Sequence, residues 1–373
     1  MPGGLRFRSA PAQISYRKKR KFIPSAISYT WEGMNCLQEV FMTKNSHTYE
    51  YAHLSATKPL LAYEETRDFE EWRTAVREKL NELLGLPLTG CDPCLEVVST
   101  EELPDRTEYY FTVQTEPGYL VPCWLFVPTN NKNAPLTICL SGHGNGMHVA
   151  AGKPKNQEDI DDLVEWPHRA MGLRAIQEGR CALIIEARNF GEASLKGIGT
   201  SCTEAAKIAI LMGRTVIGER VWDAMRILDA VIDYFHITTK NIVCTGNSGG
   251  GTATYYLACI DERIAAAAPS CAVCTYEASI AAMMHCMCNH IPSIRKYFEM
   301  EDLSVLIAPR KLVIAAGEKD MIFPIDGVRK TYETVQKIYT AAGAGDQCAL
   351  VVGNSGHYNY ADLIWEKLHN MGI

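Results

Sequence analysis

The sequence predicts an α/β protein, a mostly parallel central sheet with helices on both faces and an N-terminal antiparallel hairpin. Three observations carry that prediction. From Pro135 onward, short apolar segments alternate with amphipathic ones, the rhythm of strands buried on both faces and joined by crossover helices. Ahead of them lie two strand-like segments, Arg106 to Gln114 and Tyr119 to Pro128, joined by Glu116-Pro117-Gly118. That turn suits a hairpin at the antiparallel edge of a mixed sheet. Third, the apolar run Ile242-Val243-Cys244-Thr245 ends in Gly246-Asn247-Ser248-Gly249-Gly250, and a helix-compatible segment follows at once.

In chain order, residues 1–30 form a basic, weakly patterned leader. Arg6, Arg8, Arg17, Lys18, Lys19, Arg20 and Lys21 all precede the first acid, Glu32, and no apolar core of a signal peptide accompanies them. A solvated, poorly ordered tail is the expectation. Residues 31–373 are read as one catalytic domain with an N-terminal helical extension. Phe69, Trp72, Val76, Leu80 and Leu83 recur at helical spacing between Asp68 and Leu86, where Gly85, Pro87 and Gly90 break the pattern. After the hairpin, buried strands are expected at Leu136–Leu140, Cys181–Ile185, Ile242–Thr245, Ile264–Ala268, Leu312–Ala316 and Ala349–Val352. The strongest helix between them carries Val221, Met225, Leu228, Ile232 and Phe235 on one stripe, with Asp223, Arg226, Asp229 and Asp233 assigned to the other face. The stretch from Tyr276 to Phe298 is long enough to cover a pocket as a lid.

Composition narrows the function classes. The chain has 373 residues, 47% hydrophobic and 21% charged, with a formal net charge of −6. It therefore offers no electrostatic reason to bind nucleic acid or an anionic membrane, and no apolar run of ~20 residues suggests a span. Fourteen cysteines are scattered, several inside apolar runs. They read as reduced thiols of a cytoplasmic protein. Cys91–Cys94 and Cys271–Cys274 have C-x-x-C spacing without a second pair at zinc-ribbon distance. His285-Cys286-Met287-Cys288-Asn289-His290 packs its donors too closely to wrap one tetrahedral ion and is expected to line a pocket instead. No metal and no cofactor are expected, and the oligomeric state is left open.

The chemistry centres on Ser248. The pattern G-x-S-x-G between a strand and a helix sets a serine on a turn so sharp that its hydroxyl stands clear of the backbone. Side chains two residues either side would collide, which demands Gly246 and Gly250. A serine hydroxyl needs a base, and the base needs an acid to hold its tautomer. Two later strands supply both: the strand Lys311–Ala316 runs into Gly317-Glu318-Lys319-Asp320, and Ala349–Val352 runs into Gly353-Asn354-Ser355-Gly356-His357. Ser248, Asp320 and His357 each fall just past a strand's carboxyl end, where α/β sheets gather their working residues. Glu318 and Asp326 compete with Asp320 for the acid's place. An oxyanion formed at Ser248 calls for backbone donors. The Gly249 N–H supplies one, and the N–H of Gly144 or Asn145, in Ser141-Gly142-His143-Gly144-Asn145-Gly146, supplies the other. Taken singly, each assignment has a plain alternative: a glycine-rich turn with an incidental serine for Ser248, an ordinary loop histidine for His357, and a flexible glycine loop for Ser141–Gly146.

His143–Gly146, Glu186–Glu192, Trp222-Asp223, Gly246–Gly251, Gly317–Asp320, Cys288–Pro292 and Gly356-His357 together resemble the α/β-hydrolases of the acetyl xylan esterase and dienelactone-hydrolase-like group. The resemblance covers roughly residues 65–373. It implies an α/β-hydrolase fold and a serine carboxylesterase that removes acetyl or other small acyl groups from carbohydrates or related alcohols, its partner being a small-molecule ester. His143, Arg188, Asn189, Cys288 and Asn289 become candidate pocket residues. Where the family has Asp-x-Arg-Gly-x-Gly, this chain has Glu186-Ala-Arg188-Asn189-Phe-Gly191, with Asn189 at a glycine position. True dienelactone hydrolases use a cysteine nucleophile, which Ser248 argues against. The rival readings are a prolyl-oligopeptidase-like peptidase, for which the ~130 residues before Pro135 are too few to hold a propeller, and a non-catalytic hydrolase-fold binding protein.

Overall fold

In the computed structural model, which describes residues 43–373, the strands are β1 (Glu96–Glu102), β2 (Arg106–Glu116), β3 (Tyr119–Pro128), β4 (Leu136–Leu140), β5 (Cys181–Ile185), β6 (Ile242–Asn247), β7 (Ile264–Ser270), β8 (Lys311–Gly317) and β9 (Cys348–Gly353). The leader assigned to residues 1–30, and residues 31–42 after it, lie outside the described residues. From Asn45 to Ile373 the chain forms one compact unit.

All nine strands join one sheet in the order β1-β2-β3-β5-β4-β6-β7-β8-β9. β1, β2, β3 and β5 pair antiparallel in succession. From β5 across to β9 every pairing is parallel. β4 and β5 are buried along their whole length, because helices cover both faces there and leave no side for polar residues. β1 has no counterpart in the sequence reading. Its residues, Glu96-Val-Val-Ser-Thr-Glu-Glu102, are almost all exposed. An edge strand held by one neighbour leaves no apolar alternation to read.

Local chemistry sets the helix ends. The Asp68 carboxylate accepts from the N–H of Glu70 and Glu71 at 3.1 and 2.9 Å, and Gly85 closes the helix Phe69–Leu84 in the left-handed region at φ 77. The helix Val216–Phe235 packs Val221, Ile227, Leu228 and Val231 into the main core. One sequence assignment on it is corrected. Asp223 is only 2% exposed and points inward, accepting from the Thr115 hydroxyl at 2.6 Å and from Arg188. The stripe is wider than its apolar residues alone suggested, because a paired carboxylate occupies part of it.

Among the described residues, no helix is long and apolar enough to cross a membrane. The strand order reverses around β4, with β5 on one side and β6 on the other, which opens a crevice beyond the carboxyl ends of β4 and β6. The loop Ser141–Gly146 and the turn at Ser248 both emerge there.

Candidate active site

β6 ends at Asn247, Ser248 adopts φ 55 and ψ −122, and the helix Gly249–Ile260 begins at the next residue. A serine in that backbone region is strained, and its neighbours show what forces the turn. A Cβ on Gly246 would lie 2.4 Å from the Gly250 carbonyl oxygen, and one on Gly250 only 1.9 Å from that of Leu140. Both glycines are thus demanded by backbone atoms that cannot yield. The Ser248 N–H donates to Ser270 O at 2.9 Å, tying the turn to β7.

Asp320 and His357 come from the loops after β8 and β9. Asp320 Oδ2 accepts from His357 Nδ1 at 2.9 Å, so Nδ1 carries a proton. Its Oδ1 accepts from the N–H groups of Ile322 and Phe323 at 2.8 and 3.1 Å. Burial opposes the Asp320 charge, but the His357 imidazole and the two backbone donors outweigh it and hold its carboxyl below the usual range. Phe323 stacks against the imidazole, ring centres 5.9 Å apart and planes 14° from parallel. The competing acids are otherwise engaged or removed: Glu318 pairs with Arg329, and Asp326 lies in the first turn of the helix Ile325–Ala341.

Ser248 and His357 line one cleft of about 430 Å³, together with the loop Ser141–Gly146. Gly144 and Asn145 line this cleft as well. Gly249 lies in the first turn of its helix, where N–H groups have no intrahelical partner. The loop is held from behind. Glu186 Oε1 accepts from Met147 N–H at 3.0 Å, and its Oε2 accepts from Glu192 N–H at 3.1 Å. A Cβ on Gly146 or Gly191 would fall 2.8 or 2.2 Å from Glu186 Oε2, so glycine at both places lets the carboxyl in. Burial pushes the Glu186 carboxyl up to about 8. Asn145 is fixed by donating to Asp159 Oδ1 at 2.7 Å.

The pocket expectations fare unevenly. His143 lines the cleft. Arg188 does not; it makes a buried fork to Asp223, 2.6 Å from Nε and 2.9 Å from Nη2, and a 2.6 Å bond to Glu116. Asn189 also lies away from the cleft, at φ 70, the left-handed conformation that glycine adopts most easily and that asparagine tolerates best among the other residues. Cys288 and Asn289 are buried behind the cleft wall; Asn289 Oδ1 accepts from the Thr252 hydroxyl at 2.9 Å. The wall itself comes from Met283, Met284, His285 and Cys286 in the expected lid stretch, facing Trp166 and Tyr358. Burial, with His290 nearby, lowers the His285 imidazole to about 4. Trp166 and Tyr358, ring centres 5.2 Å apart, carried no motif and were missed; only folding brings them together. The 285–290 donors do not act as one group either. Cys286 and Cys288 meet His143 and Cys202 instead, residues remote in sequence.

A family model described as the Abhydrolase family matches residues 45–346. A Bacillus subtilis (strain 168) protein, YtaP, named as a hydrolase, is 26% identical over 246 residues, which is 65% of this chain and 80% of that one. Among solved structures, a Bacteroides fragilis NCTC 9343 protein assigned as an acetyl xylan esterase superposes with a TM-score of 0.77 at 19% identity, covering 90% of this chain and 97% of its own. The methylesterase BT1017 gives 0.64 at 20% identity, covering 88% and 68%. A glucuronoyl esterase from Solibacter usitatus gives 0.60 at 14%, covering 85% and 98%. At these identities the structural likeness speaks for the fold.

Proposed function

Since the chain belongs to the Abhydrolase family, we propose that it is a serine carboxylesterase that cleaves small acyl esters, acetyl above all, of carbohydrates or related alcohols. One observation carries the reading: a serine on a strained turn shares a cleft with an imidazole whose far nitrogen is held by a buried carboxylate. Ser248 attacks the ester carbonyl while His357 Nε2 takes its proton, and Asp320 steadies the imidazolium. The oxyanion settles against the N–H of Gly249 and of Gly144 or Asn145, each such donor contributing ~2.7–4 kcal/mol to the transition state. His357 then protonates the departing alcohol, and water repeats the sequence on the acyl-enzyme.

Support for a carbohydrate ester comes from two sides. The paired rings of Trp166 and Tyr358 at the cleft offer faces on which a sugar can lie. The fold neighbours include an acetyl xylan esterase assignment, a methylesterase and a glucuronoyl esterase. The test is hydrolysis of 4-nitrophenyl acetate and of acetylated xylo-oligosaccharides by the native chain and by Ser248→Ala, with a fluorophosphonate as covalent probe. The expected result is a loss of ~10⁶-fold in kcat with the fold intact, and an adduct confined to Ser248. Turnover unchanged in the variant refutes the mechanism; a native chain that forms no adduct points to a binding protein of hydrolase fold. The free thiols of the described residues favour a reducing, cytoplasmic location, which fractionation of the source cells checks.

A further inference from the structure

Behind the cleft wall, three chain segments bring four metal-ligating atoms together. His143 comes from the loop after β4, Cys202 opens the helix Cys202–Leu211, and Cys286 and Cys288 belong to the stretch that walls the cleft. All four donor atoms lie within 4.8 Å of one another. His143 Nε2 is 3.4 Å from Cys288 Sγ and 3.9 Å from Cys202 Sγ, and the sulfurs of Cys286 and Cys288 are 3.3 Å apart. A tetrahedral zinc ion, with Zn–S of about 2.3 Å and Zn–N of about 2.0 Å, sets edges of ~3.8 Å between sulfurs and ~3.5 Å between sulfur and nitrogen. The two sulfur–nitrogen distances, 3.4 and 3.9 Å, lie near that length, and the 3.3 Å sulfur pair falls short of its own.

Ordinary buried thiols do not gather this way. Cys139, Cys181 and Cys244 sit within strands among apolar neighbours, as small hydrophobes do. The charge beside the cluster is a second, independent observation. Arg220 is 5% exposed, and among the described residues it forms no ion pair with a carboxylate. Its Nε and Nη2 donate to Arg188 O, its Nη2 also reaches Cys202 Sγ at 3.3 Å, and its Nη1 is buried with no hydrogen-bond partner. A buried guanidinium needs a counter-charge; Arg220 lies over the Phe190 ring, and the sulfurs of Cys202 and Cys288 beside it can supply that charge once they are thiolates.

We propose that His143, Cys202, Cys286 and Cys288 form a structural site for zinc or a similarly thiophilic divalent cation. Binding takes a hydrated dication, displaces its waters and releases one proton from each of three thiols to solvent. His143 coordinates through the Nε2 lone pair and keeps its proton on Nδ1, and nothing is oxidised or reduced. Three thiolates and a dication leave one negative charge, which Arg220 balances. With four protein ligands the coordination shell is closed, so the ion holds structure and activates no water. What it holds is specific. A Cβ on Gly249 would lie 2.8 Å from the His143 ring, so fixing that ring fixes the neighbouring loop Ser141–Gly146 against the helix that follows Ser248, and anchors the cleft wall to both.

The full-length chain, purified without chelator, is analysed for metal by inductively coupled plasma mass spectrometry. It is then stripped and titrated with cobalt(II). A single equivalent of zinc is expected, and cobalt should give the intense visible bands and thiolate charge-transfer absorption of a tetrahedral sulfur-rich site. Cys202→Ser and Cys286→Ser should each lose the metal. Should either variant fail to fold, alkylation of the unaltered protein decides: Cys202, Cys286 and Cys288 must resist iodoacetamide until a strong chelator is added. Metal-free protein whose cobalt spectrum lacks thiolate bands overturns the proposal, as does a Cys286–Cys288 disulfide found by mass spectrometry. None of these readouts depends on turnover or on Ser248, so esterase activity can fail or hold independently.

Discussion

Replacing Gly250 by alanine tests the backbone contact on which the serine turn rests. The new Cβ would lie 1.9 Å from Leu140 O, 2.5 Å from Leu140 C and 2.6 Å from Ser141 O, all main-chain atoms. Ordinary contact begins near 3.4 Å, so the helix and the end of β4 must part by about 1.5 Å. No rotamer change relieves this, because neither side of the contact is a side chain. Both partners bear on the proposed mechanism: the helix follows Ser248, and β4 leads into the loop with Gly144 and Asn145. A displacement of ~1 Å between reacting groups costs about 10²-fold in rate, and overpacking costs about 1–3 kcal/mol of stability. Gly250→Ala should therefore lower kcat/KM for 4-nitrophenyl acetate by at least ~10²-fold and shift the urea unfolding midpoint downward. Gly90→Ala is the control, since its Cβ would meet no atom within 4 Å. A Gly250→Ala protein with native activity and stability would refute the steric argument.

Asp320→Asn keeps an acceptor for Ile322 and Phe323 but weakens the hold on the His357 tautomer; kcat should fall ~10⁴-fold with little change in KM, measured by steady-state kinetics. Arg188→Ala strips the fork from Asp223 and Glu116 and leaves both carboxylates buried without it, so about 3–5 kcal/mol of stability should vanish in denaturant titration; a change in KM alone would instead mark Arg188 as a substrate contact. Glu301 supplies the pH test. Burial, reinforced by Glu299 and Asp302, raises its carboxyl from 4.5 to about 8, and its Oε2 is buried without a hydrogen-bond partner. A folded value above the unfolded one means that the native state holds the extra proton between those values. Stability from this group is full below pH ~4.5 and is lost as pH rises toward ~8. Glu301→Gln should flatten that decline in thermal melts taken from pH 5 to 9, and an unchanged slope would show that Glu301 does not cause it.

Much of this protein is legible in the sequence because it is decided over short distances. The strands β4 and β5 match their apolar runs residue for residue, since a strand buried on both faces can hold little else. The serine turn announces itself through Gly246 and Gly250, whose need arises within five residues of chain and one neighbouring strand. Asp320 and His357 could be named because chain order and strand ends constrain them, and their 2.9 Å hydrogen bond joins loops that the topology makes adjacent. Other features had no local signal. Asp223 faces inward because Thr115 on β2 and Arg188 in the loop after β5 arrive from distant parts of the chain to pair with it, and that same pairing removes Arg188 from the cleft. The sulfur cluster is the clearest case: the 285–290 stretch alone crowds its donors, while His143 and Cys202 come from afar to join Cys286 and Cys288. Periodicity and turn chemistry act between near neighbours and leave their mark on the sequence. Compensation of buried charge, and the meeting of ligands across loops, depend on three-dimensional proximity that no single stretch of chain contains.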